Sequence, residues 1–246
     1  VIYAGVDYEA IVRAVESDPE GCDIILWDGG NNDFPFYKAD LNVTIVDPHR
    51  AGHELSYYPG EVTLRLADAV IINKMDSAGP EGIQQVRDNI RKVNPKAVVI
   101  DAASPISVDD PSVIKGKRVL VVEDGPTLTH GQMTIGAGTV AAKKFGALEC
   151  VDPRPFIVGK LQETFETYPG IGDLLPAMGY GEQQIRDLEA TINNTDCDSV
   201  VIGTPINLSR IINIDKPSTR VNYDLQEIGF PDLANVLDDF LAAKLS

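Results

Sequence analysis

Cysteine is scarce in this chain of 246 residues, and its spacing excludes two kinds of stabilisation. Cys22, Cys150 and Cys197 lie far apart and form no CxxC pair. We therefore expect free thiols in a reducing compartment, the cytoplasm, with neither a disulfide framework nor a zinc site.

Positive charge and long apolar runs are also in short supply. Lys and Arg number 21 against 37 Asp and Glu, so the formal net charge is −16. A nucleic acid or an anionic membrane calls for clustered Lys and Arg, and neither is expected as a partner. No apolar run approaches the roughly 18 residues of a membrane-spanning helix. An anionic small substrate would have to be met by a local basic pocket.

The chain opens on Val1 inside an apolar segment, without a start Met or a signal peptide. We expect it to be a piece of a longer product or one chain of a split one. Its hydrophobic content of 43% is enough for one large core or for two smaller ones.

Apolar strand patterns alternate with amphipathic helix patterns along the chain. This alternation predicts an α/β fold, a doubly wound and mostly parallel sheet flanked by helices, with ligands at the carboxyl ends of the strands. We expect one half at 1–114 with nucleotide-type motifs, and a second at 115–246 that continues the α/β domain with a glycine-rich loop and a terminal helix. Strands are predicted at 1–4, 22–28, 41–46, 66–72, 97–101, 119–122 and 199–202, and helices at 79–94, 140–145, 182–193 and 232–244.

The segment 22–28 has the pattern of a Walker B strand. Apolar residues run into Asp28, and a Gly-Gly-Asn-Asn loop follows. In P-loop enzymes the acid at such a strand end holds a nucleotide-bound Mg²⁺, directly or through water, and the glycines let the backbone approach the phosphates. Asp28 is therefore a candidate catalytic residue and Mg²⁺ ligand, although an ordinary Asp-Gly turn would give the same pattern.

An Asn-Lys-x-Asp motif, Asn73 to Asp76, follows the predicted strand 66–72. At a strand end the Lys74 stem can pack over a purine ring, while the Asp76 carboxylate accepts hydrogen bonds from the N1 and exocyclic amine of guanine. Ser104 follows the next predicted strand, where GTPase-like domains place their last base-contacting loop. We expect Asn73, Lys74, Asp76 and Ser104 to bind a nucleotide.

Arg50 lies in a loop after the predicted strand 41–46 and is a candidate phosphate contact, because a planar guanidinium suits bidentate binding. A metal site made by His49 and His53 is disfavoured, because Pro48 and Gly52 interrupt the regular helix that would align them.

Glycines at 131, 136 and 138 precede the predicted helix 140–145 and could form an anion cradle of backbone N–H groups. Their spacing resembles a Walker A motif, but Ala137 and Gly138 stand where its lysine should be, so the chain contains no Walker A motif. A tight glycine turn that caps the helix is the alternative.

Arg210, Lys216 and Arg220 form a close basic set in this acidic chain. They could bind a polyanion. Surface ion pairs with the neighbouring acids are the alternative, the acids being Asp215, Asp224 and Glu227.

Several of these motifs together resemble the cyclic 2,3-diphosphoglycerate synthetases of archaea, over essentially the whole chain. In that family a longer polypeptide carries an amino-terminal domain and a P-loop ahead of the region seen here, and ATP is used to close an internal phosphoanhydride in 2,3-diphosphoglycerate. The chain would then be the carboxyl-terminal part. The motifs are Trp27–Asp33, Asp47–Arg50, Asn73–Asp76, Glu123–Gly131 and Gly203–Pro205.

The resemblance implies an ATP-dependent ligase with Mg²⁺, an anionic phosphorylated substrate, and an upstream P-loop segment or companion chain as partner. The oligomeric state is open, a homo-oligomer included. Glu123, Asp124 and His130 would border the acceptor site as catalytic residues. The substrate phosphates would be neutralised by Arg50, Arg210 and the cradle of Gly131, Gly136 and Gly138.

Two other classes of function compete with this hypothesis. The Asn73 to Asp76 motif suggests guanine, so a GTP-driven switch or a metallochaperone-like P-loop protein is one of them. A nucleotide-free interaction module that keeps the fold without the chemistry is the other.

Overall fold

The computed structural model describes residues 1–29, 36–125, 136–179 and 181–245. The chain folds into two compact units. Unit 1 comprises Val1–Ser104 with Leu225–Ser246, and unit 2 comprises Pro105–Asp224. None of the helices found within the described ranges is long and apolar enough to cross a membrane.

Unit 1 is built on a four-stranded sheet in the order β1-β2-β3-β10. The first three strands are parallel, and β10 runs antiparallel to β3. All four residues of β2, Ala-Val-Ile-Ile, are buried, as expected for a parallel strand covered on both faces. The strands are β1 (Val43–Val46), β2 (Ala69–Ile72), β3 (Val98–Ala103) and β10 (Gln226–Glu227).

Helices of unit 1 pack their apolar stripes on this sheet. The predicted helix at 79–94 is present as α4, with Gly79 as its N-cap and Pro80 in its first turn, where a missing N–H costs nothing. Val86 and Ile90 of its apolar stripe join the core. The helices are α1 (Tyr8–Glu16), α2 (His53–Ser56), α3 (Tyr58–Leu66), α4 (Pro80–Val93) and α8 (Leu233–Leu245).

Unit 2 contains a second sheet, in the order β4-β9-β8-β5-β6, with β7 also paired to β5. All of its strand pairs are parallel except β4 with β9. The strands are β4 (Ile106–Val108), β5 (Arg118–Asp124), β6 (Glu149–Cys150), β7 (Leu175–Ala177), β8 (Ser199–Ile202) and β9 (Ser218–Tyr223), and the helices are α5 (Ala137–Lys144), α6 (Leu161–Thr167) and α7 (Glu182–Asn194).

The α/β class, with mostly parallel strands flanked by helices, is confirmed. The strands form two sheets, and the compact units have other bounds than the predicted halves 1–114 and 115–246. Strand pairing explains the difference. β4 pairs with β9, which places the chain from Pro105 onward in unit 2, and β10 pairs with β3, which returns the terminal helix to unit 1.

The strands predicted at 1–4 and 22–28 are wrong. Neither segment pairs with any strand of the described residues, and Ile24, Ile25 and Leu26 are 58%, 48% and 89% exposed. An apolar run becomes a strand only where a neighbour satisfies its backbone N–H and C=O groups. Trp27 is held instead by aromatic contacts, with its ring centroid 4.8 Å from that of Tyr8.

Candidate functional site

The carboxyl ends of β1, β2 and β3 meet at one edge of the unit 1 sheet, as parallel strands require. The loop that begins at Asn73 is tied to both neighbouring strands, because the Asn73 N–H donates to the Val46 carbonyl (3.0 Å) and the Met75 N–H donates to the Ala102 carbonyl (3.0 Å). The predicted position of the Asn73 to Asp76 motif at a strand end is therefore confirmed.

Lys74 adopts a left-handed backbone conformation, with φ of 57°, which is rare for a residue other than glycine. Its N–H donates to Asn73 Oδ1 (2.8 Å) and its Nζ donates to Asp47 Oδ2 (2.6 Å). These two contacts hold a conformation that costs free energy, and such strain is concentrated at functional sites.

Asp76 is linked to the third strand end. Its Oδ1 accepts a hydrogen bond from the Ser104 N–H (3.0 Å), while the residue is exposed to solvent. Next to it, His49 Nε2 and Ser77 Oγ are hydrogen-bonded at 2.9 Å. The structure thus brings together the residues predicted to bind a nucleotide, and their roles stay a prediction.

Asp47 belongs to this edge and was not predicted as a site residue. Burial alone would raise the pKa of its carboxyl, but the hydrogen bond and charge of Lys74 and the N–H of His49 hold that pKa below its ordinary value. The signal was present in the sequence, because Asp47 directly follows an apolar strand. The strand-then-acid pattern that pointed to Asp28 is realised here.

Replacing Lys74 with Gln should raise the pKa of Asp47, since burial remains while the cation is lost. A depressed folded pKa stabilises the protein above the unfolded value of 3.8 and loses that contribution as the pH falls through the folded pKa. We expect K74Q to be less stable at neutral pH by about 0.5–1 kcal/mol, and the deficit to vanish in acid. Carboxyl NMR titration and thermal melts measure both effects.

The control for this comparison is Lys92→Gln on the exposed surface of α4. An unchanged Asp47 pKa in the K74Q chain would show that the ion pair does not set the charge of this edge.

Glu123, near the end of β5 in unit 2, is a buried carboxylate, 2% exposed. It accepts hydrogen bonds from the Gly138 N–H (3.2 Å), the Thr139 N–H (2.7 Å) and the Thr139 hydroxyl (2.9 Å). These groups belong to the first turn of α5, where N–H groups and the helix dipole favour an anion. Burial raises the pKa of Glu123, and the hydrogen bonds from Thr139 and Gly138 oppose that rise.

Gly136 and Gly138 were predicted to help cradle a substrate phosphate. In the structure the anion at the start of α5 is the internal carboxylate of Glu123, so the Gly138 N–H is already occupied. The positions of Gly136 and Gly138 therefore agree with the alternative, a glycine turn that caps the helix. A Cβ at 136 would lie 2.4 Å from Glu123 Oε2, and one at 138 would lie 2.8 Å from Val121 Cγ1, so both glycines permit a close approach.

The other predicted site residues are spread over the two units. In unit 1, Asp28 is exposed and lies outside any strand, and Arg50 ends a 3-10 helix that follows β1. In unit 2, Asp124 is the last residue of β5, and Arg210 ends a 3-10 helix that follows β8. His130 and Gly131 lie outside the described residues.

A dedicated metal centre does not occur in the described ranges, where no three His, Cys, Asp or Glu side chains that could hold a metal lie together. A Mg²⁺ ion carried by a nucleotide needs only one or two protein carboxylates, with phosphates and water completing its shell. The exposed Asp28 fits that lesser requirement, and its role as ligand stays a prediction.

Parallel strands flanked by helices, with polar side chains collected at the carboxyl edge, define an α/β protein of the class that binds ligands at its strand ends. Residues 5–103 match the family model described as cyclic 2,3-diphosphoglycerate synthetase, P-loop domain. The resemblance seen in the sequence is confirmed over these residues, which match the P-loop domain of the cyclic 2,3-diphosphoglycerate synthetase family.

Relatives of the chain carry two different names. It is 61% identical over 240 residues to the arginine synthetase ArcE of Thermococcus kodakarensis, covering 98% of this chain and 53% of that protein. It is 31% identical over 163 residues to a cyclic 2,3-diphosphoglycerate synthetase of the same organism, covering 65% and 35%. The synthetase of that name from Methanosphaera stadtmanae is 27% identical over 230 residues, covering 91% and 48%. The chain spans about half the length of ArcE and of the Methanosphaera protein.

Proposed function

We propose that this chain is part of a nucleotide-dependent synthetase that forms arginine. The observation that carries the proposal is the 61% identity, over 98% of the chain, to a relative named arginine synthetase, against 31% and 27% for two relatives named cyclic 2,3-diphosphoglycerate synthetase. In the proposed reaction an oxygen atom of the substrate that is converted to arginine accepts the terminal phosphoryl group of the nucleotide. A nitrogen nucleophile then attacks the carbon that bears this oxygen, and phosphate leaves.

The nucleotide would bind at the strand ends of unit 1. Asn73, Asp76 and Ser104 would contact the base, and this role is supported by the hydrogen bond that joins Asp76 to Ser104. Arg50, which follows β1, would contact a phosphate. Phosphoryl transfer depends on positioning and on neutralisation of charge, so an acidic chain has to concentrate its cations there. Mg²⁺, when bound with the nucleotide, would neutralise phosphate charge, with Asp28 as its protein ligand.

Cyclisation of 2,3-diphosphoglycerate, with ATP as co-substrate, is the second candidate. The match of residues 5–103 to the P-loop domain of those synthetases favours it. Its chemistry is closely similar. One phosphate of the substrate would accept the phosphoryl group of ATP, the second phosphate of the same molecule would attack the phosphorus of the first, and inorganic phosphate would leave. Arg50 would neutralise charge on this substrate. Either reaction needs a Walker A motif, which this chain lacks, so we propose that the missing region of the relatives' length supplies it.

Product formation by the complete protein, this chain together with that missing region, distinguishes the two candidates. ATP formed from L-arginine, ADP, phosphate and Mg²⁺ measures the arginine reaction in reverse. Phosphate released from ATP in the presence of 2,3-diphosphoglycerate measures the cyclisation. We expect the first activity. Activity only with 2,3-diphosphoglycerate would establish the second candidate, and binding of GTP without turnover of either substrate would establish the switch.

Replacing Asp76 with Ala should raise the KM for the nucleotide at least about tenfold, which corresponds to one charge-assisted hydrogen bond. The exposed position of Asp76 predicts little loss of stability. Steady-state kinetics with ATP and with GTP measure the effect. Asp88→Ala on the exposed face of α4 is the matched control, and equal KM values in the two variants would remove Asp76 from the nucleotide site.

A further inference from the structure

Arg220 occupies an unusual position in the sheet of unit 2. It lies on β9 in register with Ile202, the last residue of β8. Thr219 and Val221 on either side of it are buried, so the alternation of a strand places Arg220 on the opposite face. In-register residues of parallel strands share a face, so Arg220 shares that of Ile202. This is the face opposite to Gly203, which packs against the first turn of α5.

The Arg220 guanidinium is incompletely hydrogen-bonded. One terminal nitrogen donates to the Pro205 carbonyl at 3.4 Å, beyond the end of β8, while the buried Nε has no hydrogen-bond partner among the described residues. A guanidinium has five N–H donors. A buried donor without a partner is costly, and more so when it is charged, so a native protein rarely leaves one without a reason.

Acidic partners do not account for Arg220. Within the described ranges no carboxylate forms an ion pair with it, and the ion pairs considered as the alternative, with Asp215, Asp224 and Glu227, are not formed there. Lys216 of the same basic set is satisfied, since its Nζ donates to the carbonyls of Ile192 (3.3 Å) and Asn193 (2.6 Å) at the end of α7. Seven other arginines do pair with carboxylates, namely Arg13, Arg65, Arg87, Arg91, Arg118, Arg154 and Arg186.

We propose that Arg220 binds an oxyanion at the carboxyl end of β8. The ligand class is a carboxylate or a phosphate, whose two oxygens can accept N–H groups of the two terminal nitrogens of one guanidinium. Arg210 ends the 3-10 helix that follows β8 and adds a second cation after the same strand. The position agrees with the rule that parallel sheets bind ligands beyond the carboxyl ends of their strands. The assignment of this oxyanion to a substrate rests on the proposed function, whereas the site itself does not.

Two chemical sources of the oxyanion are distinguished by three probes added to the 246-residue chain. Inorganic phosphate tests a phosphate group. L-Arginine and agmatine, which is arginine without its carboxylate, test a substrate carboxylate. We expect one of the two oxyanions to raise the melting temperature by about 3 °C at ten times its Kd, and agmatine to have no effect. A response to L-arginine alone assigns the carboxylate, and a response to phosphate assigns the phosphate.

The Arg220→Gln variant should lose this shift, and Arg220→Lys should keep only part of it, because lysine has the charge without the bidentate geometry. Without ligand, R220Q should melt at or above the temperature of the native chain, since a buried N–H donor without a partner has been removed. Arg186→Gln on the exposed face of α7 is the control and should keep the full shift. The proposal fails if R220Q keeps the shift, if neither oxyanion stabilises the native chain, or if R220Q alone lowers the melting temperature without ligand.

Neither outcome depends on turnover. If the complete protein formed no arginine while phosphate still raised the melting temperature of the 246-residue chain, the proposed function would be overturned and the oxyanion site would remain.

Discussion

Replacing Glu123 with Ala should destabilise unit 2 by about 3 kcal/mol, because it removes a buried carboxylate that three donors of α5 share. The N–H groups of Gly138 and Thr139 would lose their acceptor while remaining buried at the start of a helix. The Thr139 hydroxyl would lose its acceptor as well, and the deleted side chain would leave a cavity against β5.

Thermal and denaturant unfolding measure this loss. The matched control is Glu149→Ala on β6, where the carboxylate is exposed and makes only a 3.4 Å contact with Arg118, so its effect should stay within about 0.5 kcal/mol. If the two variants were equally stable, the carboxylate of Glu123 would not be what holds α5 on the sheet.

The carboxyl of Glu123 also makes the stability of the chain depend on pH. Burial raises the pKa of Glu123 above 4.5, so the folded state binds this proton more tightly than the unfolded state. Its stabilising contribution is fully present below the unfolded pKa and is lost as the pH rises through the folded pKa. Glu123→Gln does not titrate. We therefore expect the native chain to lose melting temperature relative to E123Q as the pH rises above 4.5. If the melting temperature of the native chain instead rose relative to that of E123Q as the pH increased, the folded-state pKa of Glu123 would be depressed.

Replacing Gly203 with Ala should lower the free energy of unfolding by about 3 kcal/mol. A Cβ at this position would lie 2.5 Å from Glu123 Oε2, 2.6 Å from Gly138 N and 2.8 Å from Gly138 Cα. Two of these atoms are backbone in the first turn of α5, so relief requires the helix to move away from β8. The movement would also stretch the hydrogen bonds of Glu123, and both losses should appear together in the unfolding free energy.

Gly170→Ala is the control for this steric effect. It lies in the same unit, in an ordinary backbone conformation, with no atom within 4 Å of an added Cβ. We expect its stability to change by no more than about 0.5 kcal/mol, with a gain from the stiffer unfolded chain. If G203A and G170A melted at the same temperature, the close approach of α5 to β8 would be refuted.

The strand ends of unit 1 show how much of a site the sequence can predict. Asn73, Asp76 and Ser104 were found because each follows an apolar strand, and the carboxyl ends of parallel strands converge. Asp47 also directly follows an apolar strand and was nevertheless missed, because its ion pair with Lys74, which is distant in the sequence, is visible only in the structure. Asp28 was expected at a strand end because an apolar run does not reveal whether a neighbouring strand is there to receive it.

The glycine loop of unit 2 shows what the sequence could not predict. Glycines before a helix indicate a close approach of something negative, and the sequence suggested a phosphate. The structure places Glu123 there, because three glycines from two segments, Gly136 and Gly138 before and in α5 and Gly203 after β8, leave room for its carboxylate.

The sequence by itself determined the α/β class, the apolar stripes of α4 and α8, the net charge and the family resemblance, because these depend on the order and periodicity of neighbouring residues. The tertiary structure alone decided the division into two units, the Lys74–Asp47 pair, the burial of Glu123 under α5 and, among the described residues, the lack of a hydrogen-bond partner for the Nε of Arg220. Each of these depends on groups far apart in the chain, whose meeting is set by strand pairing and by the space left at each contact.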